Sequence, residues 1–152
     1  MQRILLASHG TNGARAAELV AVNRLQPGDQ LFHLQVVPDF WDGMQGDDWL
    51  NNSSTRDVFA VYVENSLETE AKVTFDRVAA MVAKRGARCE TRLVYDKPAQ
   101  ALLKAVADVV PDLVIIGAPR PKYAEGQNSK MLTESMLRSM VVPLLVIPYP
   151  DV

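Results

Sequence analysis

The sequence predicts an α/β protein with a parallel, doubly wound sheet. Two observations support this prediction. Short apolar runs bounded by Gly, Pro or Asp alternate with longer segments of helical periodicity, and the order of the segments is β-α-β-α-β-α-β-α-β. Strands that alternate with helices favour parallel pairing, because each helix returns the chain to the edge where the next strand begins. The length of 152 residues fits one domain, so we expect residues 1–152 to form a single domain.

The first half of the chain contains two apolar runs, each followed by a helical segment. Residues 4–7 predict the first strand, and residues 31–37, closed by Pro38, predict the second. The alanine-rich segment from about 13 to 25 predicts the first helix, which Pro27 and the glycine after it end.

The longest helical segment is predicted to begin at Ser54 and to end before Gly86. Its apolar positions recur at spacings of three or four, which predicts one stripe facing the sheet. The stripe consists of Phe59, Val63, Leu67, Ala71, Thr74, Val78 and Met81. Gly86 suits the left-handed conformation that commonly ends a helix.

The second half continues the alternation. Residues 88–94 alternate with polar positions, as in an edge strand, and Pro98 suits the first turn of a helix. The apolar residues of this helix are Leu102, Leu103, Val106 and Val110. Residues 113–116 are apolar on both faces and predict a central strand. A helix running from after Lys130 through Met140 and a strand at residues 144–147 complete the series.

Composition excludes several classes of protein. Apolar residues make up 48% of the chain, charged residues make up 22%, and the net charge is −2, so we expect neither nucleic acid nor membrane as a partner. The apolar start is too short for a signal peptide. A lone cysteine, Cys89, cannot form an intramolecular disulfide and fits a reducing compartment. These features predict a cytoplasmic protein.

Two segments carry local charge of opposite sign. Residues 38–54 contain four aspartates and no basic residue, whereas residues 119–138 are mainly basic. The aspartates lack the spacing of a calcium loop, so a solvated or salt-bridged loop is the simpler interpretation. Trp41 and Trp49 either anchor that acidic loop or stack on a bound base.

Catalytic and metal motifs are missing from the sequence. It contains no phosphate-binding G-x-x-x-x-G-K-(S/T), no G-x-S-x-G and no H-E-x-x-H, so we expect no catalytic residues. Two histidines and one cysteine leave no zinc set. His9 either caps a turn or faces a ligand, and His33, inside a strand, is interpreted as a satisfied core histidine.

A ligand site is predicted at the carboxyl ends of the strands, where ligands bind in open α/β sheets. The turns after the first and fourth strands, residues 8–11 and 117–133, are the candidates. Helices that begin there present free N–H groups, which suit phosphate.

Five segments carry a resemblance to a known family: residues 4–11, 97–99, 112–117, 133–138 and 142–147. They read I-L-L-A-S-H-G-T, K-P-A, D-L-V-I-I-G, T-E-S-M-L-R and V-P-L-L-V-I. In this order and at these separations they resemble the universal stress protein family from end to end. The resemblance implies a flavodoxin-like (adenine nucleotide alpha hydrolase-like) sandwich, with a five-stranded parallel sheet of order 3-2-1-4-5 and four helices.

The resemblance also separates members that bind ATP from members that do not. Binders carry G-x-x-G, nine residues, then G-(S/T), and an aspartate after the first strand. In this chain Gly117 matches the first glycine, but His9 replaces the aspartate. The other three positions hold Arg120, Lys130 and Met131. This pattern implies a member of the non-ATP-binding branch that is not an enzyme and acts through protein partners.

The alternative is an adenine-nucleotide sensor with an altered phosphate loop, because arginine and lysine side chains bind phosphate well. Under this alternative hypothesis, His9 contacts the nucleoside of ATP. The backbone at residues 36–37 contacts its base. The candidate residues of this site are Ala7, Ser8, His9, Val36, Val37, Gly117, Arg120, Lys130, Met131 and Thr133.

The last strand predicts a homodimer. Residues 142–148 are apolar and include prolines, which suits the edge of a sheet, and an exposed apolar edge favours pairing with another strand. In the family this strand pairs antiparallel with its copy in a second chain. The interface is expected to include Val142, Leu144, Val146 and Tyr149.

Overall fold

The computed structural model describes residues 1–8, 12–37, 53–118 and 133–148. Strands and helices alternate along these ranges, as predicted. In chain order the elements are β1 (Arg3–Ser8), α1 (Asn12–Arg24), β2 (Gln30–Val37), α2 (Ser53–Lys84), β3 (Arg88–Tyr95), α3 (Pro98–Val109), β4 (Leu113–Gly117), α4 (Glu134–Ser139) and β5 (Leu144–Ile147).

The five strands form one parallel sheet of order β3-β2-β1-β4-β5, which confirms the predicted topology. Ile4 of β1 lies between Leu31 of β2 and Leu113 of β4. The interior position of β4 explains its continuous apolar run, since β4 has a neighbour on both sides and packs on both faces.

Each face of the sheet has its own hydrophobic core, because successive residues of a strand point to opposite faces. On one face, Ile4 and Leu6 of β1 pack with apolar residues of α1 and α2. On the other face, Leu5 and Ala7 pack with residues of α3 and α4. The two layers of helices thus cover both sides of the sheet.

Helix α2 is long relative to the sheet beneath it. Its 32 residues span about 48 Å at 1.5 Å per residue, whereas the 8 residues of β2 span about 26 Å. The turn that follows its last residue lies at the amino edge of the sheet, where the Gly28 N–H donates to the Gly86 carbonyl at 2.9 Å. The first part of α2 therefore extends beyond the carboxyl edge.

The apolar stripe predicted for α2 is confirmed at three of the four predicted positions whose side chains the structure describes, and the fourth, Thr74, is half-buried. Ala71 and Val78 are buried, and Met81 packs at the margin of the same core. The side chains of Phe59, Val63 and Leu67 lie outside the described set. The helix begins at Ser53, one residue before the predicted start, and Gly86 adopts the expected left-handed conformation with φ 74°.

The predicted role of Val110 is wrong. Pro98 stands at the start of α3 as expected, but the helix ends at Val109, which is 2% exposed. Val110 adopts the left-handed region, with φ 50° and ψ 62°, and its N–H donates to the Val106 carbonyl. This conformation turns the Val110 side chain away from the core, and the residue is 63% exposed.

Helix α4 is shorter than predicted. The sequence predicts a helix through Met140, whereas the structure ends it at Ser139 because Met140 adopts an extended backbone with ψ 127°. At the other end, Thr133 has an extended conformation and caps the first turn. The strand that follows, β5, has the predicted bounds.

The two outer strands, β3 and β5, differ in chemistry. Strand β3 carries exposed Arg88 and Glu90, and its Arg92 lies 3.8 Å from Asp108 of α3. Strand β5 has four apolar, partly buried residues and no charge. The prediction that β3 is an edge strand is confirmed, and only β5 presents an apolar edge.

Candidate functional site

The topology places a crevice at the carboxyl ends of β1 and β4. The two strands are neighbours, with Ala7 paired to Ile116. The helix after β1 packs on one face of the sheet, and the helix after β4 packs on the other. The two connections therefore diverge here, and such a reversal of strand order is where open α/β sheets bind ligands.

Six of the ten candidate ligand residues lie at the ends of the elements that border this crevice. Ala7 and Ser8 end β1, Gly117 ends β4, and the backbone of residues 36–37 ends β2. Thr133 follows as the residue before α4. The candidates that lie outside the described residues are His9, Arg120, Lys130 and Met131; Tyr149 of the expected dimer interface lies outside them too.

The hydroxyl of Thr133 has a defined structural partner. Its Oγ1 accepts a hydrogen bond of 3.1 Å from the Met136 N–H, which satisfies one of the unpaired donors at the start of α4. Glu134 follows in the first turn and pairs with Arg138. A carboxylate therefore stands where a phosphate would approach this helix.

Replacing Thr133 with alanine tests the importance of this cap. We expect a free energy of unfolding lower by about 1 kcal/mol, because the Met136 N–H loses its acceptor. The melting temperature should fall by about 2–4 °C in a calorimetric scan. Thr133→Ser keeps the hydroxyl and should retain most of the stability. An equal loss in both variants would assign the effect to the lost methyl group instead.

The backbone of β2 offers one acceptor at the crevice. Gln30 N donates to Gln2 of the chain before β1, so even-numbered residues of β2 direct their backbone groups toward β1. Pairing between the two strands ends at Gln35 and Ser8. The Val36 carbonyl therefore points toward β1 but beyond its last paired residue. The backbone N–H and C=O of Val37 face β3 instead.

Beneath the crevice lies a buried polar pair that the sequence analysis did not connect. Ser8 Oγ and His33 Nε2 are 3.0 Å apart and join β1 to β2. Both residues are fully buried. The prediction that His33 is a core histidine is confirmed. It is only half satisfied, however, because Nδ1 has no hydrogen-bond partner among the residues that the structure describes.

Helix α2 covers this histidine. The Phe75 ring meets the imidazole edge-on, with centroids 5.0 Å apart and planes at 88°. Arg77, two residues after Phe75 in α2, donates to buried Glu18 of α1 at 2.7 Å. Burial lowers the pKa of His33 from 6.5 to about 4, and the nearby Arg77 charge contributes in the same direction.

A pattern in β2 could have indicated this pair. Residues 31, 33 and 35 share one face of β2. The two that lie nearer the carboxyl end of the strand, His33 and Gln35, have polar side chains. Gln35 is buried too, and its Oε1 lacks a partner in the described part of the chain. What the pattern did not contain was the register that places Ser8 beside Gln35.

The described ranges contain neither a metal-binding cluster nor a membrane-spanning helix. No group of three or more His, Cys, Asp or Glu side chains is arranged to hold a metal ion there. None of the helices in those ranges is long and apolar enough to cross a membrane.

Comparison with known proteins decides the family. The model of the universal stress protein family matches residues 1–148. This chain belongs to that family. The resemblance found in the sequence is thus confirmed. Among curated proteins, none is similar enough in sequence to count as a match.

Solved structures of universal stress proteins share the fold. The hypothetical protein MJ0577, whose biochemical function was assigned from its structure, has a TM-score of 0.74 and 16% identity, with 99% of this chain and 98% of that chain covered. Universal stress protein UspA from Lactobacillus plantarum has a TM-score of 0.67 and 21% identity, covering 98% and 97%. A family protein from Arabidopsis thaliana, solved with AMP bound, has a TM-score of 0.65 and 13% identity, covering 99% and 94%.

Proposed function

We propose that this universal stress protein is a non-enzymatic, cytoplasmic stress-response protein that works as a homodimer, acts through protein partners and does not use ATP. The observation that carries the proposal is the composition of the phosphate loop. Of the positions that hold glycine in ATP-binding members, only Gly117 is kept, and Arg120 and Lys130 occupy the other two.

Glycine at such positions serves two purposes. It lets backbone N–H groups approach a phosphate closely, and it adopts positive φ without strain. A side chain held in the left-handed region costs about 1–2 kcal/mol, and every 1.4 kcal/mol weakens binding about tenfold. This chain has two such replacements, and Met131 stands in place of a hydroxyl residue. Together the three changes should weaken triphosphate binding more than any single one of them.

The described residues at the crevice support the same conclusion. The Ser8 hydroxyl is buried against His33, and the Thr133 hydroxyl caps α4. Glu134 adds a negative charge at the start of that helix. Hydroxyls engaged inside the protein and a carboxylate at the helix start disfavour an incoming triphosphate.

A second candidate is an adenine-nucleotide sensor. It is favoured by what solved family members contain: AMP in the protein from Arabidopsis thaliana, cAMP in another universal stress protein, and dAMP in one from Archaeoglobus fulgidus. In this chain the Val36 carbonyl, which lies beyond the last residue of β2 paired with β1, would accept a hydrogen bond from an amino group of a base. Arg120 and Lys130 would then supply charge to the phosphate.

A thermal-shift titration separates the two candidates. ATP, ADP and AMP are added with and without magnesium to the wild type. A ligand that binds only the folded state raises stability by about 2.7 kcal/mol at one hundred times its Kd. We expect no saturable rise in melting temperature at millimolar nucleotide, because the phosphate loop lacks two glycines.

Two double variants control this titration. Arg120→Ala/Lys130→Ala removes the cations of the altered loop, and Arg24→Ala/Lys84→Ala removes two exposed cations at the opposite edge of the sheet. A rise in the wild type that persists in the second variant and disappears in the first would contradict the proposal and establish the sensor.

A further inference from the structure

The contact between α2 and the sheet includes a fully buried ionisable side chain, that of His33. His33 projects from β2 and is bonded through Nε2 to Ser8 of β1, while the Phe75 ring of α2 lies against its edge. No other titratable residue of β1 or β2 is buried on this face in the part of the chain that the structure describes. The imidazole therefore lies between the sheet and the helix that covers it.

The second ring nitrogen of His33, Nδ1, indicates which protonation state the buried site favours. Nδ1 is buried and has no hydrogen-bond partner in the described ranges. In the neutral ring with the proton on Nε2, that nitrogen donates to Ser8 and Nδ1 is an unpaired acceptor. Protonation would make Nδ1 a buried donor with no acceptor, which is the more costly arrangement.

The charged groups described around His33 would not neutralise the positive charge that protonation adds to the ring. From α2, Arg77 already places a guanidinium near the ring. From α1, Glu18 is the buried carboxylate of this face, and it is bound to Arg77 at 2.7 Å. The neighbour of His33 on β3 is Thr91, which is uncharged, and its neighbour on β1 is Leu6. The one negative charge of Glu18 is thus already balanced by the Arg77 guanidinium.

We propose that His33 is an acid-sensitive anchor for α2: the neutral ring holds the helix on the sheet, and protonation releases it. Release would matter for function because the first part of α2 extends beyond the carboxyl edge. A change in the docking of this helix therefore alters the side of the crevice where a ligand or partner would bind.

The direction of the pH dependence follows from the two states. The pKa of His33 is about 4 in the folded protein and 6.5 when the ring is exposed, so the released form takes up the proton more readily. Docking of α2 is therefore complete above about pH 6.5 and weakens steadily as the pH falls toward 4. Between pH 7 and pH 4.5 the population of the released form should rise on the order of 50-fold.

Amide hydrogen exchange measures this release residue by residue. Protection factors, corrected for the intrinsic pH dependence of exchange, are compared at pH 7 and pH 4.5. We expect the amides of residues 71–84 in α2 to lose protection on the order of 50-fold. The amides of α3, on the other face of the sheet, should change little. A parallel loss in both helices, or no loss in α2, would overturn the proposal.

The two histidines of the chain provide matched variants. His33→Gln keeps a side-chain amide that can bond to Ser8 but cannot be protonated, so α2 should keep the same protection at both pH values. His9→Gln removes the other imidazole and should retain the wild-type response. A pH-dependent loss of α2 protection that persists in His33→Gln would contradict the proposed role of His33 as an anchor.

A second measurement does not depend on the folding of His33→Gln. NMR titration of the His33 ring in the wild type should give a pKa near 4 and ¹⁵N shifts of the Nε2-protonated form. Arg77→Met removes the adjacent guanidinium and frees Glu18, so the pKa of His33 should rise toward 6.5. A pKa that stays unchanged in Arg77→Met would refute the arrangement of charges on which the proposal rests.

Discussion

Substituting Val146 with proline is expected to convert the proposed homodimer into monomers. Pro143 and Ile147 accept hydrogen bonds from β4 through their carbonyls, so odd-numbered residues of β5 face β4. The N–H and C=O groups of Leu144 and Val146 therefore point to the outer edge, where a second copy would pair. Proline at 146 removes an outward donor but no bond to β4.

Two-fold symmetry doubles the effect, because each protomer loses the same donor. A hydrogen bond contributes about 1 kcal/mol, and the proline ring also obstructs the approaching strand, so the dimer Kd should rise by about a hundredfold. Sedimentation velocity over a concentration series measures this change. The melting temperature, extrapolated to low protein concentration, should stay close to that of the wild-type monomer.

The opposite edge of the sheet supplies the matched control. Arg88 N donates to the Asp29 carbonyl, so even-numbered residues of β3 face β2 and the backbone groups of Thr91 point outward. Thr91→Pro therefore removes an equivalent edge donor on β3 and should leave the dimer intact. If Val146→Pro remains dimeric, or if Thr91→Pro dissociates the protein, the proposed β5 interface is wrong.

Shortening Ile115 to alanine is expected to cause the largest loss of stability. Ile115 is fully buried in β4, between Leu6 of β1 and Leu145 of β5 in the sheet register. Removing three buried carbons leaves a cavity between the sheet and α1, which costs about 2–5 kcal/mol. The melting temperature should fall by about 10 °C.

Ile115→Val controls for the size of that cavity. Loss of one methyl group should cost about 0.5–1.5 kcal/mol, so the two variants should rank by the volume removed. Chemical denaturation with urea measures both, and an unchanged slope would show that the denatured states are comparable. Equal losses in the two variants would indicate that the core relaxes around the site rather than leaving a cavity.

Much of the fold could be predicted because its signals are local. The apolar run of β4 and the proline that begins α3 are visible in a few consecutive residues. The bounds of β5 were predicted correctly because a proline stands on each side of it. Val110 was misassigned because helical spacing continues through it, while the end of α3 depends on a backbone conformation that spacing does not contain.

The candidate site was less accessible to sequence reasoning. Its position followed from the strand order. The contact between Ser8 and His33, however, depends on the register of β1 against β2, and the two residues are 25 positions apart in sequence. The contact of Phe75 with His33 depends further on the rotation of α2 about its axis. Contacts of this kind arise from packing, and no single segment of the chain contains the information for them.

The unequal edges of the sheet set a limit on how far such chains can associate. In the proposed homodimer each β5 edge is occupied by its copy, so that β3 would lie at both ends of one continuous ten-stranded sheet. Arg88 and Glu90 stand exposed along those ends, and charged side chains oppose the addition of further strands. Growth of the proposed dimer would therefore stop at two copies, since a closed two-fold pairing leaves no free β5 from which a fibre could extend.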